Sequence, residues 1–336
     1  MEVIFFLYLI LIFLSNLYFK KKNYLSSNYG FIHQTKVNDS VPLIGGIYLF
    51  LPFVLVSILY EISLILPLIG LFVLGLLSDL NIFSSAKKRF FIQLLLISSY
   101  IFLSNLEVLP TRISLIDTLF SDTYLSLIFT IFCFLILING SNFIDGLNGL
   151  LLGYCTLILF ITFKLNLNDY FILNDSLFMF ILIILILLLF LNFLNKLFLG
   201  DNGAYMISFF IGFYLITIYN QNFQNITPYF VILLLWYPCF ENLFSILRKI
   251  YYKKNPLTPD NHHLHHYLYL VVKNKISKKK IIANNFSSVL ILTFNGLIFY
   301  FSVLDINNTL YQLKLLASCV TTYLVVYISL KKFKNL

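Results

Sequence analysis

The chain has 336 residues, of which 60% are hydrophobic, 18% aromatic and only 11% charged, with a net charge of +9. A soluble domain runs nearer about 45–50% apolar and about 25% charged, so this composition excludes a soluble globular protein and points to an all-α polytopic membrane protein. The positive balance reads as membrane topology and attraction to an anionic leaflet, not as a nucleic-acid footprint.

Apolar runs near the ~20 residues needed to cross a bilayer recur along the whole length. Eleven spans are predicted: about 3–19, 42–60, 62–77, 90–106, 123–139, 148–164, 171–193, 203–219, 227–247, 284–304 and 311–330. Ten is the alternative count, because only Glu61 separates the second from the third. Positive charge follows the first run instead of preceding it, and no small-residue cleavage site appears, so that run reads as an anchor and not a cleaved signal. With the N-terminus outside and the C-terminus in the cytoplasm, all of the 23 Lys and Arg except Arg112, Lys164 and Lys314 fall on the cytoplasmic side, as the positive-inside rule asks. That count includes Lys36. The basic stretch 248–283 is too short to form a domain, so residues 1–336 are read as one membrane domain. Cys133, Cys155, Cys239 and Cys319 lie in or beside apolar runs without paired spacing, which speaks against a disulfide framework or zinc site.

The acids sort by side. Glu61, Glu107, Asp117, Asp122, Asp169, Asp175 and Asp305 fall at outer loops or outer span ends without pattern. Asp39, Asp79, Asp145, Asp201, Glu241 and Asp260 fall on the cytoplasmic side, five of these six within short polar or Gly-containing motifs. Ionisable residues at membrane spans are costly and default to functional candidates, so the chemistry is expected at the cytoplasmic face.

Pro42–Gly46 opens the second span, and its glycines Gly45 and Gly46 allow close approach of backbone or ligand; helix packing by small residues is the plainer reading. Gly75–Asp79, followed by Lys87, Lys88 and Arg89, pairs an acid with bases that could hold a phosphate, or else is a helix end with snorkelling cations. The island Asn139–Leu150 carries Asn139, Asn142, Asp145 and Asn148. Asn142 and Asp145 share a face if the piece is helical, and three amides with one acid suit sugar, base or metal-water contacts. A self-satisfied re-entrant turn is the alternative. Asn192 and Asn195 precede Gly200-Asp201-Asn202-Gly203, where Asp201 lies near a helix start that favours anions, or where Asp201 or Asn202 simply caps the helix. Asp260-Asn-His-His-Leu-His-His266 concentrates imidazoles in a basic loop. Zinc normally draws a second ligand pair, absent here, so phosphate or sugar recognition is the better functional reading beside a solvated His-rich loop.

Taken together and in order, VPLIGG (41–46), GLLSDL (75–80), NGSNFIDGLNGL (139–150), NFLNKLFLGDNG (192–203) and DNHHLHH (260–266) resemble the polyprenyl-phosphate N-acetylhexosamine-1-phosphate transferase family, of glycosyltransferase family 4 type. The resemblance implies an enzyme of the bacterial cytoplasmic (inner) membrane. Such an enzyme transfers a sugar 1-phosphate from a UDP-sugar to polyprenyl phosphate, releases UMP, and starts assembly of O-antigen, capsule or another envelope glycan. It implies Mg2+, with Mn2+ as a substitute, and a nucleotide sugar and a lipid phosphate as partners; a homodimer is left open. Residue by residue, it implies Asp201 as metal ligand, Asp79 as base or lipid-phosphate organiser, and Asp145 with Asn142 at nucleotide or metal. His263, His265 and His266 would hold diphosphate or sugar with Lys87 or Lys88 assisting. Gly45, Gly46, Asn139, Asn148, Asn192 and Asn202 would line the substrate site. The split histidine pairs are similar to the nucleotide-activated N-acetylhexosamine branch. Two departures stand out: Ser78 and Asn148 occupy positions where the family commonly has acids, which raises the alternative of a weak or inactive scaffold. A transporter with a midplane site is the other alternative, and it predicts inverted repeats that the sequence lacks.

Overall fold

The computed structural model describes residues 2–22, 25, 41–60, 62–108, 110–167, 175–258 and 260–334. Lys36, Asp39, Glu61 and Asp169 lie outside the described residues. Among the described residues the chain is all helical, with one isolated parallel bridge between Leu43 and Phe198. In order the helices are α1 (Glu2–Lys22), α2 (Gly45–Tyr60), α3 (Ile65–Asp79), α4 (Ala86–Ser104), α5 (Ser114–Leu119), α6 (Thr123–Ile144) and α7 (Leu150–Lys164). Then come α8 (Asp175–Phe193), α9 (Gly200–Gln221), α10 (Pro228–Tyr251), α11 (Leu264–Lys275), α12 (Lys280–Val303) and α13 (Thr309–Lys334). Each of the eleven expected spans coincides with one of these helices; α5 and α11 are the additions.

Seven of them, counting α3 with its preceding 3-10 turn, are long and apolar enough to cross a membrane: α3, α6, α8, α9, α10, α12 and α13. The chain is an integral membrane protein. α2 and α7 are equally apolar but shorter. Both begin at glycine-bearing motifs, Gly45-Gly46 and Gly149, so the missing turn is the turn the polar motif occupies.

The bundle is organised around α9, which packs against α2, α3 and α6. A helix apolar all round belongs inside, and almost every residue from Asn202 to Tyr219 is buried. Phe209, Phe210, Phe213 and Tyr214 fill its contacts, with Phe210 stacked on Phe53 of α2 (centroids 4.3 Å apart) and Phe209 against Phe134 of α6 (5.3 Å). α10 crosses α6 at Gly140, where a Cβ would stand 2.0 Å from the Pro238 carbonyl oxygen. The close crossing lets Asn242 donate to the Ile136 carbonyl (3.0 Å). Such contacts fix where the N-terminus of α9, the C-terminus of α6 and the start of α11 meet.

Candidate active site

The start of α9 is held by three separate stretches of chain. Ahead of it, Phe198 donates its N–H to the Pro42 carbonyl (2.9 Å), while Gly45 and Gly46 donate theirs to the carbonyls of Phe198 and Leu199 (3.1 Å each). This seat requires glycine. A Cβ on Gly46 would lie 1.8 Å from the Asn202 side-chain oxygen and 2.4 Å from the Gly203 nitrogen, and one on Gly45 would lie 2.8 Å from the Leu199 Cα. Gly45 and Gly46 therefore bring backbone against backbone. A Cβ at Gly75 would likewise stand 2.3 Å from the Asn202 Cα, so α3 meets α9 just as closely.

Asp79, at the end of α3, turns its carboxylate to the N–H groups that open α9. Oδ1 accepts from Asp201 N (3.0 Å), and Oδ2 accepts from Asn202 N (3.1 Å) and the Asn202 side-chain amide. The first N–H groups of a helix have no partner within it, and a carboxylate there also meets the positive end of the dipole. The cap of α9 thus comes from Asp79, 122 residues back in the chain, and neither Asp201 nor Asn202 caps its own helix.

With its main chain fixed, Asp201 is free to present its carboxylate. Oδ2 accepts from the Ser78 hydroxyl (2.6 Å) and the Tyr205 hydroxyl (3.3 Å), and Arg89 Nη1 lies 3.5 Å away as an ion pair. The Asp201 side chain keeps 26% of its exposure, so it stays within reach of a ligand. Arg89 also donates to Ser78. The cation at Asp201 is therefore Arg89; Lys87 and Lys88 stand exposed on the same turn of α4. Ser78 supplies a hydroxyl where a second acid was expected, and it leaves Asp201 paired to a hydroxyl and a guanidinium instead of facing another carboxylate.

Among the described residues no three His, Cys, Asp or Glu side chains converge in the manner of an all-protein metal cage. One reachable carboxylate backed by a hydroxyl is an all-oxygen donor set. It fits Mg2+, which usually takes one or two carboxylates and keeps waters and phosphate oxygens for the rest.

The 139–150 island runs from this acidic corner to the histidines. Asn139 donates to the Leu135 carbonyl and to Gln93 of α4 (3.0 Å), and Asn142 reaches the Tyr205 hydroxyl (3.5 Å). α6 ends at Ile144 and half-buried Asp145 follows, its N–H bonded to the Ser141 carbonyl. Then the wall turns to the other side. Phe143 packs on His263 (ring centroids 4.9 Å), and a Cβ on Gly146 would come 3.0 Å from His265 Nε2. Gly149 turns the chain into α7 at φ +73°, and its N–H donates to Asn192. Asn148 donates its N–H to Asn284 of α12 (2.7 Å), and Asn192 passes its amide to the Leu197 carbonyl (2.7 Å). Asn148 and Asn192 are thus buried struts of the island.

At the far side, His263 precedes α11 and its Nδ1 lies 2.9 Å from Glu241 Oε1; Glu241 is wholly buried in α10. His263 Nε2 lies 3.5 Å from Asp260, which Arg248 grips with both contacts near 3.0 Å. The rings of His263, His265 and His266 lie at centroid spacings of 4.4–5.7 Å, His263 stacked on His265 and His266 tilted against both. His265 is fully buried, and neither ring nitrogen has a hydrogen-bond partner among the described residues. Burial first, then the neighbouring His266 and His263, hold its pKa well below the usual imidazole value, so it stands neutral, with a nitrogen available as acceptor. Burial alone would raise Asp260. The charges of Arg248, His263 and Lys249 and the His262 N–H together outweigh it, and the carboxyl is held below its usual value.

The expected residues thus form two clusters, Asp79–Asp201–Asn202 and His263–His265–His266, joined by Asn142 to Gly146. Sequence reading named Arg89 only as one of three bases and Ser78 only as a departure from the family's acids, and it missed the functional part of Gln93, Tyr205, Glu241 and Asn284. A signal existed for two of these groups: Arg89 and Gln93 share a helix face at i, i+4, and Glu241 is the only acid within its span.

The fold and site define a helical membrane protein with a carboxylate and histidine centre at one end of its bundle. Residues 61–219 match glycosyl transferase family 4. Among curated relatives, it is 29% identical over 241 residues to the undecaprenyl-phosphate alpha-N-acetylglucosaminyl 1-phosphate transferase of Thermotoga maritima, covering 72% of this chain and 71% of that one. It is 30% identical over 182 residues to the decaprenyl-phosphate N-acetylglucosaminephosphotransferase of Mycolicibacterium smegmatis, covering 48% of this chain and 45% of the relative. The expectation of a sugar-transferring membrane enzyme is met by these matches.

Proposed function

We propose that the chain transfers an N-acetylhexosamine 1-phosphate from a UDP-sugar to polyprenyl phosphate, releasing UMP and starting lipid-linked assembly of O-antigen, capsule or another envelope glycan. The observation that carries this reading is the continuity of the site: one short wall, Asn142 to Gly146, touches both the Asp201 group and the histidine run. The two relatives named above act, by their names, on a polyprenyl phosphate with N-acetylglucosamine 1-phosphate. The enzyme works from the cytoplasmic face of the bacterial inner membrane, with eleven crossings and the N-terminus outside.

In the step proposed, a phosphate oxygen of the lipid attacks the β-phosphorus of the UDP-sugar. The bond from that phosphorus to the bridging oxygen breaks, and UMP leaves with the electron pair. A phosphate monoester loses its second proton near pH ~6, so the nucleophile is anionic at neutral pH and the step asks mainly for positioning and charge neutralisation. Asp201 would hold Mg2+, which when bound screens the phosphates. Arg89 adds fixed positive charge beside it. His263, His265 and His266 offer ring nitrogens to the diphosphate or sugar. Asp79 works from behind by fixing the backbone of Asp201. Membranes containing the protein, given polyprenyl phosphate, Mg2+ and a panel of UDP-N-acetylhexosamines, are expected to release UMP with at least one donor. Silence with every donor beside an active relative would end this reading.

A further inference from the structure

Glu241 is the only acid in α10 and is fully buried. A carboxylate within a membrane-crossing helix is costly unless it is paired, and three partners hold this one. His263 Nδ1 lies 2.9 Å and the Leu264 N–H 3.3 Å from Oε1, and the Tyr323 hydroxyl of α13 donates to Oε2 at 2.9 Å. Because Leu264 already donates to Oε1, that oxygen accepts, and His263 Nδ1 carries the proton it shares with Glu241. On its other edges the His263 ring meets Asp260, Phe143 and the stacked ring of His265 (centroids 5.4 Å, planes 13° apart). Glu241 is thus tied at once to the first residue of α11 and to the last helix of the chain, while the transfer chemistry leaves it no task of its own.

We propose that Glu241 is the positioning residue of the histidine run: its carboxylate orients the His263 ring, and through it His265 and His266, for the transfer step, with Tyr323 holding Glu241 from α13. This rests on the transferase reading above. Glu241 acts through His263 and does not touch substrate.

The test uses the full-length protein in detergent micelles with undecaprenyl phosphate, the UDP-sugar that supports turnover, and Mg2+. E241Q keeps shape and an acceptor but loses the charge. It is expected to lower kcat about ten- to hundredfold, the range typical when an orienting carboxylate is removed from a histidine, with both KM values within about threefold. E241D is expected to recover part of that loss. On an H263N background, E241Q should change kcat by less than about threefold, since a residue acting through His263 has nothing left to orient. Equal proportional losses in both backgrounds would overturn the proposal. A readout independent of turnover is carbethoxylation of His263 by diethylpyrocarbonate, followed by mass spectrometry without substrates. It is expected to be slow in the wild type and faster in E241Q, and an unchanged rate counts against the anchor. Wild-type silence with all donors, together with faster labelling in E241Q, would sink the transferase reading while supporting the anchor. If E241Q does not fold, Y323F removes one hydroxyl from the same carboxylate. A smaller loss of kcat with faster His263 labelling then supports the proposal, and no change in either refutes it.

Discussion

Replacing Asp79 by Asn separates a structural carboxylate from a reacting one. In the wild type its two oxygens face Asp201 N–H at 3.0 Å and Asn202 N–H at 3.1 Å, with the Asn202 amide as a third donor. Asparagine keeps a single oxygen, so on one side its NH2 confronts an N–H that has nowhere else to turn. An unsatisfied buried donor costs about 1–3 kcal/mol, and losing a carboxylate from a helix N-terminus adds about 0.3–1 kcal/mol, or up to ~2 kcal/mol when partly buried. D79N is therefore expected to lose about 2–4 kcal/mol of stability. Its turnover should fall as well, because the backbone that aims Asp201 is released. The single tryptophan, Trp236, is buried in α10, and its fluorescence follows unfolding by denaturant in detergent micelles. D79N with a wild-type unfolding midpoint but no turnover would refute this reasoning and make Asp79 a reacting group.

Asp201→Asn is expected to abolish UMP release in a protein that still folds, since the backbone cap from Asp79 is untouched; a near-normal rate would remove Asp201 from the metal role. Gly46→Ala places a methyl 1.8 Å from the Asn202 oxygen and 2.4 Å from the Gly203 nitrogen. The backbone there cannot retreat cheaply, so a loss of about 1–3 kcal/mol is expected for such overpacking, read from the same Trp236 transition. Acidification should weaken the histidine end in two stages. His265 has a folded pKa below its unfolded value near ~6.5, so its contribution is full above that pH and lost as pH falls. Asp260 is likewise depressed, so its contribution is present above about 3.9 and lost as pH falls through the folded value. The first stage should vanish in H265N, and an unfolding midpoint flat from pH 7 to about 5 would contradict it.

The long apolar helices were legible because a bilayer imposes one length and one polarity on whatever crosses it. α11 was hidden for the converse reason. It lies in the basic stretch after α10, has only 12 residues, and mixes Lys, His and Tyr with no apolar run long enough to cross a bilayer. The motifs announced Asp201, Asp145 and the histidines, but the role of Asp79 was out of reach. An acid at the end of one helix looks the same whether it faces solvent, substrate or the first turn of another helix more than a hundred residues away. Gly45 and Gly46 hide their purpose in the same way, because a missing side chain says only that something comes close. Arg89 was overshadowed by its two lysine neighbours, and only the helical register, three and four residues from Ala86 and Gln93, separates the inward cation from the outward ones.

The seat of α9 also constrains the order in which the chain can be assembled. Pro42, Gly45 and Gly46 pair with Phe198 and Leu199, and Asp79 with Asp201, so the partners are made some 120–160 residues apart. While the ribosome works through α4 to α8, the polar ends of α2 and α3 wait at the membrane edge with their counterpart not yet synthesised. α9 then arrives as a keystone, closing the earlier helices and creating the acidic corner in the same event. A stalled or truncated chain ending before residue 200 would leave Asp79, Ser78 and Arg89 exposed to one another and to lipid, a natural handle for quality-control proteolysis.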